Sequence, residues 1–236
     1  MKIAPDRLEY FRERYAARRP GWEPATARYQ RWVATRLTPA TKVLDLGCGR
    51  GGIVERLHTI GRWTGIDPDC VSLKEHRVPA LTREQARAIY LPFSDAAFDL
   101  VVCSWVLEHL AQPALTFAEV ARILRPGGHF IFLTPNARHP IPRISRGLTY
   151  VQQHIVPRIY GRAAKDVFPI YYQANIPEDI DPMATYAGLR LVKMELVDDP
   201  AYFAWNALTF KLAVKFEALL PTWWKVHLIG EYIRLM

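Results

Sequence analysis

The stretch Val43-Leu44-Asp45-Leu46-Gly47-Cys48-Gly49-Arg50-Gly51-Gly52 constrains the fold of this 236-residue chain more than any other. A short apolar run ends on a glycine, as a buried strand does. It passes directly into GGIVERLHTIG (51–61), where Ile53, Val54 and Leu57 recur at helical spacing and Gly61 is the stop. The connection is therefore strand, glycine turn, helix. Glycine gives the turn its φ > 0 positions and lets a ligand approach the main chain without a Cβ in the way. The helix start beyond it offers unpaired amides and a partial positive charge. In open α/β sheets, ligands bind beyond the carboxyl ends of the strands, where this loop lies.

The pattern continues along the chain. WTGID (63–67), FDLVVCSW (98–105) and HFIFLTP (129–135) read as short apolar strands. A weak helix is expected over 71–76 and a connecting strand near Arg87–Ile89. PALTFAEVARIL (113–124) reads as an amphipathic helix stopped by Pro126-Gly127-Gly128. Strands that alternate with helices through short loops predict an α/β fold with a parallel sheet covered on both faces. Residues 1–40 read as helical and basic, broken by Pro20 and Pro24, and are expected to form a lid carrying Trp22, Tyr29 and Trp32 over a domain spanning 41–236. Residues 177–189 read as a helix broken or started late by Pro182, 189–197 as a strand, 201–220 as a long apolar helix and 227–236 as a final strand.

Gly47, Gly49 and Gly52 satisfy the dinucleotide pattern G-x-G-x-x-G, which by itself discriminates little. Asp45 narrows the choice. A carboxylate two residues before the first glycine repels a pyrophosphate and suits an ammonium or sulfonium. Asp67 closes the second strand 20 residues after Gly47, where a carboxylate can accept both hydroxyls of a ribose. Pro68 follows it, and Asp69 is placed to cap the next helix.

Together these residues resemble the class I S-adenosylmethionine-dependent methyltransferases, most closely the type 11 group that includes the quinone-biosynthesis methylases. The similarity covers roughly residues 40–136, in four ordered blocks: VLDLGCGRGG, TGIDPD, LPFSDAAFDLVVCSWVLEHL and LRPGGHFIFLTPN. It implies a Rossmann-like three-layer sandwich with a seven-stranded, mostly parallel sheet whose last strand is antiparallel, with 189–197 and 227–236 as the terminal hairpin. It also implies S-adenosylmethionine as donor, S-adenosylhomocysteine as product and no metal. Asp45, Gly47, Cys48, Gly49 and Gly51 would line the methionine end. Asp67 and Pro68 would hold the ribose. Cys103, Ser104 and Trp105 would close the strand-four side. The family's adenine-contacting Asp is replaced here by Arg87, which leaves the contact to Ala88 or Ser94.

Methyl transfer from a sulfonium is an in-line displacement, so alignment and a dry site matter more than an acid, a metal or a nucleophile. A base is needed only for a weakly acidic hydroxyl. His139, after the fifth strand, and His109, after the fourth, are the candidate bases, with Tyr171 and Tyr172 shaping the acceptor site. The expected acceptor cover is 136–176, where residues 136–165 carry six Arg/Lys and no acid, together with an insertion over 200–222. Arg138, Arg143 and Arg146 suit an anionic group on a small-molecule acceptor. A hydroxyl of a lipid-like, glycan or secondary-metabolite molecule is the expected target.

Lys and Arg total 31 against 23 Asp and Glu, a net charge of +8, which permits anionic partners without naming one. A nucleic-acid methyltransferase is the reading this charge would favour, but no Asn/Asp-Pro-Pro-Tyr signature occurs. The glycine loop is also compatible with an NAD(P)-dependent oxidoreductase and with a cofactor-binding scaffold that lacks catalysis. Three cysteines without metal-type spacing fit a reducing, cytoplasmic setting. The N-terminus lacks the apolar core of a secretory signal, and no window of about 18 residues is long and apolar enough to span a bilayer. The 201–220 helix suits a membrane surface, a sheet edge or the face of a homodimer; a monomer is equally compatible.

Overall fold

A computed structural model describes residues 5–140, 142 and 168–236. Its centre is a seven-stranded sheet formed by β1 (Lys42–Leu46), β2 (Arg62–Asp67), β3 (Thr82–Gln85), β4 (Phe98–Ser104), β5 (Leu124–Pro135), β6 (Leu189–Val197) and β7 (His227–Arg234). The spatial order is β3-β2-β1-β4-β5-β7-β6, with β7 antiparallel to both its neighbours and β1 to β5 parallel. The order reverses at β1, so the crevice between the carboxyl ends of β1 and β4 is the switch point at which such sheets take ligands. The expected Rossmann-like sandwich with an antiparallel last strand is the fold observed.

Alternation along the strands builds two core layers. Leu44, Leu46, Val101, Cys103, Phe130 and Phe132 face α5 (Pro113–Ile123) and α6 (Pro177–Tyr186). Val43, Val102, Ile131 and Leu133 face α2 (Ala25–Ala34) and α3 (Ile53–Leu57). A third cluster joins α1 (Pro5–Ala16) to α7 (Ala207–Leu219) through Phe11, Tyr15, Trp22 and Phe210. The acids that end β6 fasten it. Arg12 donates to Asp199 at 2.7 Å, and the Tyr15 hydroxyl donates to Asp198 at 2.5 Å. α1 is thus held by the 198–219 segment, while α2 packs directly on the sheet.

Four local expectations need correction. The third strand is Thr82–Gln85, and Arg87–Ile89 forms only an isolated bridge from Arg87 to Tyr90. Parallel pairing with Thr64–Asp67 sets that register, a non-local choice the polar sequence TREQ does not advertise. Pro-Gly-Gly does not end α5. The helix stops at Ile123 and the chain is already extended at Leu124, because Leu124 pairs with Phe98. Pro182 neither breaks nor delays its helix, which starts at Pro177 and runs through it; fully buried Ile180 and Ala184 hold it on the sheet. The long helix of 201–220 is a 3-10 turn, Pro200–Phe203, followed by α7, which is capped by the Asn206 side chain accepting from Leu208 and Thr209 N–H.

In the sheet interior, β7 needs Gly230. A Cβ there would stand 2.7 Å from Cε1 of fully buried Phe132 and overlap its Cζ. Gly230→Ala is expected to lower the unfolding free energy by about 2 kcal/mol, in the range of overpacked cores. A urea titration with an unchanged midpoint would contradict this contact.

Candidate functional site

The glycine loop is stitched to its neighbour strand by backbone bonds. Gly47 and Cys48 N–H both donate to the Ile66 carbonyl, at 2.8 and 2.9 Å, and Gly51 N–H donates to the Cys48 carbonyl at 3.0 Å. Gly47, Gly49, Gly51 and Gly52 all have positive φ. A side chain at Gly47 would also overlap Val106 Cγ2. The sequence therefore folds this way because only glycine combines that turn with that proximity.

Asp67 ends β2 and faces the loop. Its Oδ2 accepts from Gly49 N–H at 2.9 Å and its Oδ1 from Asp69 N–H at 2.8 Å, which leaves each oxygen a further acceptor direction. Burial raises its pKa, against the pull of the two amides. Asp69 caps the next helix, α4 (Cys70–Lys74), as expected. Asp45 pairs across the sheet with Gly65 and Val102 and is 2% exposed. Desolvation, reinforced by the charge of Asp67, pushes its pKa up to about 7. It stands behind the loop and does not line the hollow in front of it.

Three connected hollows open around this loop. The largest, about 730 Å³, lies on the α2 side and is bordered by Tyr29, Gly47, Cys48, Gly49, Gly51, Ser104 and Trp105. A second, about 390 Å³, is bordered by Gly49, Asp67, Pro68, Trp105 and Val106. A third, about 440 Å³, lies between the β3 and β4 ends and is bordered by Pro68, Ala88, Val106, His109, Phe168 and Tyr171. Gly47, Cys48, Gly49, Gly51, Asp67, Pro68, Ala88, Ser104 and Trp105 thus border one continuous crevice, whereas Asp45, Cys103 and Ser94 are not among its lining residues. The carboxylate of Asp67 at its edge and that of Asp45 behind the loop disfavour a pyrophosphate and fit a cationic nucleoside. Tyr29 is the N-terminal aromatic that reaches the crevice; Trp22 is buried against Tyr15, and Trp32 lies under Lys193.

The candidate bases are dispersed. His109 borders the third hollow, its Nδ1 2.8 Å from the Pro169 carbonyl. Tyr171 is partly exposed beside it, while Tyr172 is buried with a φ of +51°; both backbone amides donate to the Glu108 carbonyl. His139 is fully buried, with Nε2 3.5 Å from Glu217 Oε1. Arg138 pairs with Glu178 at 2.7 Å, and Arg143 and Arg146 lie outside the described residues. Ser94 is exposed, away from the crevice.

Two features escaped sequence reasoning. Trp105 takes a left-handed φ of +60°, a strained setting of about 1–3 kcal/mol that clusters at functional sites. Its ring lies 5.2 Å, edge on, from His227, whose Nε2 is 3.2 Å from the Tyr202 hydroxyl. Complete burial lowers the His227 pKa to about 3, with Arg12 and His139 adding to the effect. No local pattern marks this histidine; the pairing of β7 with Pro135 and Val197 delivers it.

A family model described as a methyltransferase domain matches residues 44–132. The chain is 32% identical over 171 residues to a ubiquinone biosynthesis O-methyltransferase of Thiobacillus denitrificans, covering 68% of this chain and 69% of that protein. It is 35% identical over 115 residues to a fatty-acid O-methyltransferase of Mycolicibacterium smegmatis, covering 45% of this chain and 42% of that protein. The fold matches an S-adenosylmethionine-dependent methyltransferase from Mesorhizobium loti with a TM-score of 0.63 at 19% identity, over 89% of this chain and 98% of that one. Membership at this level implies S-adenosylmethionine as the methyl donor, and the crevice chemistry agrees. The chain belongs to the class I S-adenosylmethionine-dependent methyltransferases, in the type 11 group.

Proposed function

We propose that this enzyme methylates a hydroxyl of a small lipid-like, glycan or secondary-metabolite acceptor. The observation that carries the cofactor half is the pair of buried carboxylates at the ends of adjacent strands, one on each side of a glycine turn. In this reading Asp67 takes the ribose hydroxyls. Gly47, Cys48, Gly49 and Gly51 pass the amino-acid tail along their backbone, with Asp45 supplying negative charge from behind. Pro68 and the Ala88 backbone flank the adenine, with His109 and Tyr171 enclosing that end. Ser104, Trp105 and Tyr29 border the methionine side. The relatives named as O-methyltransferases of ubiquinone biosynthesis and of fatty acids support oxygen as the target atom and an amphiphilic acceptor.

S-adenosylmethionine, when bound, supplies the electrophilic methyl group. The chain's part is to align that group with the acceptor and exclude water. His227, with a pKa near 3, is neutral at pH 7 and packs behind Trp105 rather than serving as a proton acceptor. His139, fully buried beside Glu217, and buried Tyr172 position the adjoining chain rather than contact the acceptor. Calorimetry with S-adenosylhomocysteine tests the donor half, and its release from S-adenosylmethionine across panels of phenolic, fatty-acid and glycan acceptors tests the rest. Turnover confined to amine or nucleic-acid acceptors would defeat the assignment to a hydroxyl.

A further inference from the structure

Helix α7 presents a surface that the methyl-transfer site does not use. Its inner face carries Phe210, Ala213 and Glu217, all buried. Its outer face exposes Leu208 (66%), Leu212 (57%) and Leu219 (84%), with Trp205 exposed just before the helix and Trp223 just after it. Positions 208, 212 and 219 fall on one stripe at 3.6 residues per turn. Lys211 and Lys215 are exposed on the flank of that stripe. Between residues 201 and 227 the single acid is Glu217, and it points inward. The outer face is therefore apolar and cationic, without a compensating negative charge.

A homodimer face would bury leucines equally well but gains nothing from two lysines placed beside them. A single-sign charge at the edge of an apolar stripe is complementary to an anionic, amphiphilic surface. Tryptophan at both ends of the stripe also fits the headgroup level of a bilayer, where an apolar ring and a polar N–H are both satisfied. The helix spans 13 residues, and among the described residues no helix is long and apolar enough to cross a membrane. We infer that α7 docks this protein onto an anionic lipid bilayer, lying in the interface with Leu208, Leu212 and Leu219 inserted and Lys211 and Lys215 against the headgroups. The inference stands apart from the identity of the methyl acceptor, because vesicle binding is read without turnover.

The test is flotation of the full chain with vesicles of equimolar phosphatidylcholine and phosphatidylglycerol, beside vesicles of phosphatidylcholine alone. The wild-type protein is expected to float with the anionic vesicles, less so as salt rises, with its tryptophan emission shifted to the blue. A basic residue near an anionic surface contributes roughly fivefold in partitioning, about 1 kcal/mol, so Lys211→Gln with Lys215→Gln should weaken binding by roughly 30-fold. Leu208→Asp with Leu212→Asp should abolish it. All four positions are exposed, so both variants should keep wild-type affinity for S-adenosylhomocysteine, which verifies the fold. Equal flotation with both vesicle types, flotation unaffected by the leucine pair, or no flotation with a dimer that the leucine variant converts to monomer in light scattering would each overturn the inference.

Discussion

Asp67→Ala is expected to weaken S-adenosylhomocysteine binding about 100-fold or more. Each hydrogen bond from a ribose hydroxyl to an ionised, partly desolvated carboxylate is worth about 1.5–3 kcal/mol, and two are lost together. The substitution also frees the Gly49 and Asp69 amides that the carboxylate now holds at 2.9 and 2.8 Å, so the loop loses its anchor as well as its ligand contact. Asp67→Asn keeps an acceptor oxygen and should recover part of the affinity. Calorimetry on both variants, with a thermal melt to verify folding, measures the effect. An alanine variant that binds like the wild type would remove Asp67 from the site.

Cofactor affinity is expected to climb with pH and to level off above about 7. Burial and the neighbouring Asp67 charge raise the Asp45 pKa from 3.8 to about 7, so the free enzyme holds a proton there that the unfolded chain has already released. The group therefore makes the folded state less stable as pH rises from about 4 towards 7, because the native form binds more protons than the unfolded one. A bound ammonium reverses that preference. Ionised Asp45 would attract it through the glycine loop, and binding below pH 7 would compete with the proton, at a cost of up to about tenfold in affinity per pH unit. Asp45→Asn should flatten the profile. Calorimetry with S-adenosylhomocysteine between about pH 5 and about pH 8, in buffers of differing ionisation enthalpy, reads both affinity and protons released. A wild-type profile as flat as that of the variant would show that Asp45 does not sense the ligand.

These two acids are legible in the sequence because their signals are contiguous. A strand that ends in an acid two residues before a glycine turn, and another that ends in an acid, are local patterns. Their parallel register, Asp45 against Gly65, needs only β1 and β2, and Gly47–Gly49 lies between. The crevice residues from Cys48 to Trp105 follow for the same reason. The dinucleotide reading rests on the glycines alone, whereas the desolvated carboxylates give the crevice the wrong charge for a pyrophosphate.

The acceptor side is far less readable. His139 reads as a loop histidine after a strand, yet it is fully buried against Glu217, a residue 78 positions later. His227 has no distinguishing neighbour in sequence and ends beside Trp105. Pro182 is overruled by the burial of Ile180 and Ala184, and the third strand by its partner β2. Each of these outcomes is decided by packing between segments whose propensities, taken singly, point elsewhere.

What the amino-acid order determined alone is the α/β alternation, the glycine turn and the two carboxylates that follow strands into it. These depend on backbone conformations and periodicities set within a few residues. What only the tertiary structure decided is how the chain's ends are joined. Arg12 meets Asp199 and Tyr15 meets Asp198 across separations of 187 and 183 residues, and α7 turns Glu217 inward and its leucines out. Buried ion pairs and helix faces are selected by which partner removes them from water, and that partner is fixed only once the sheet has closed.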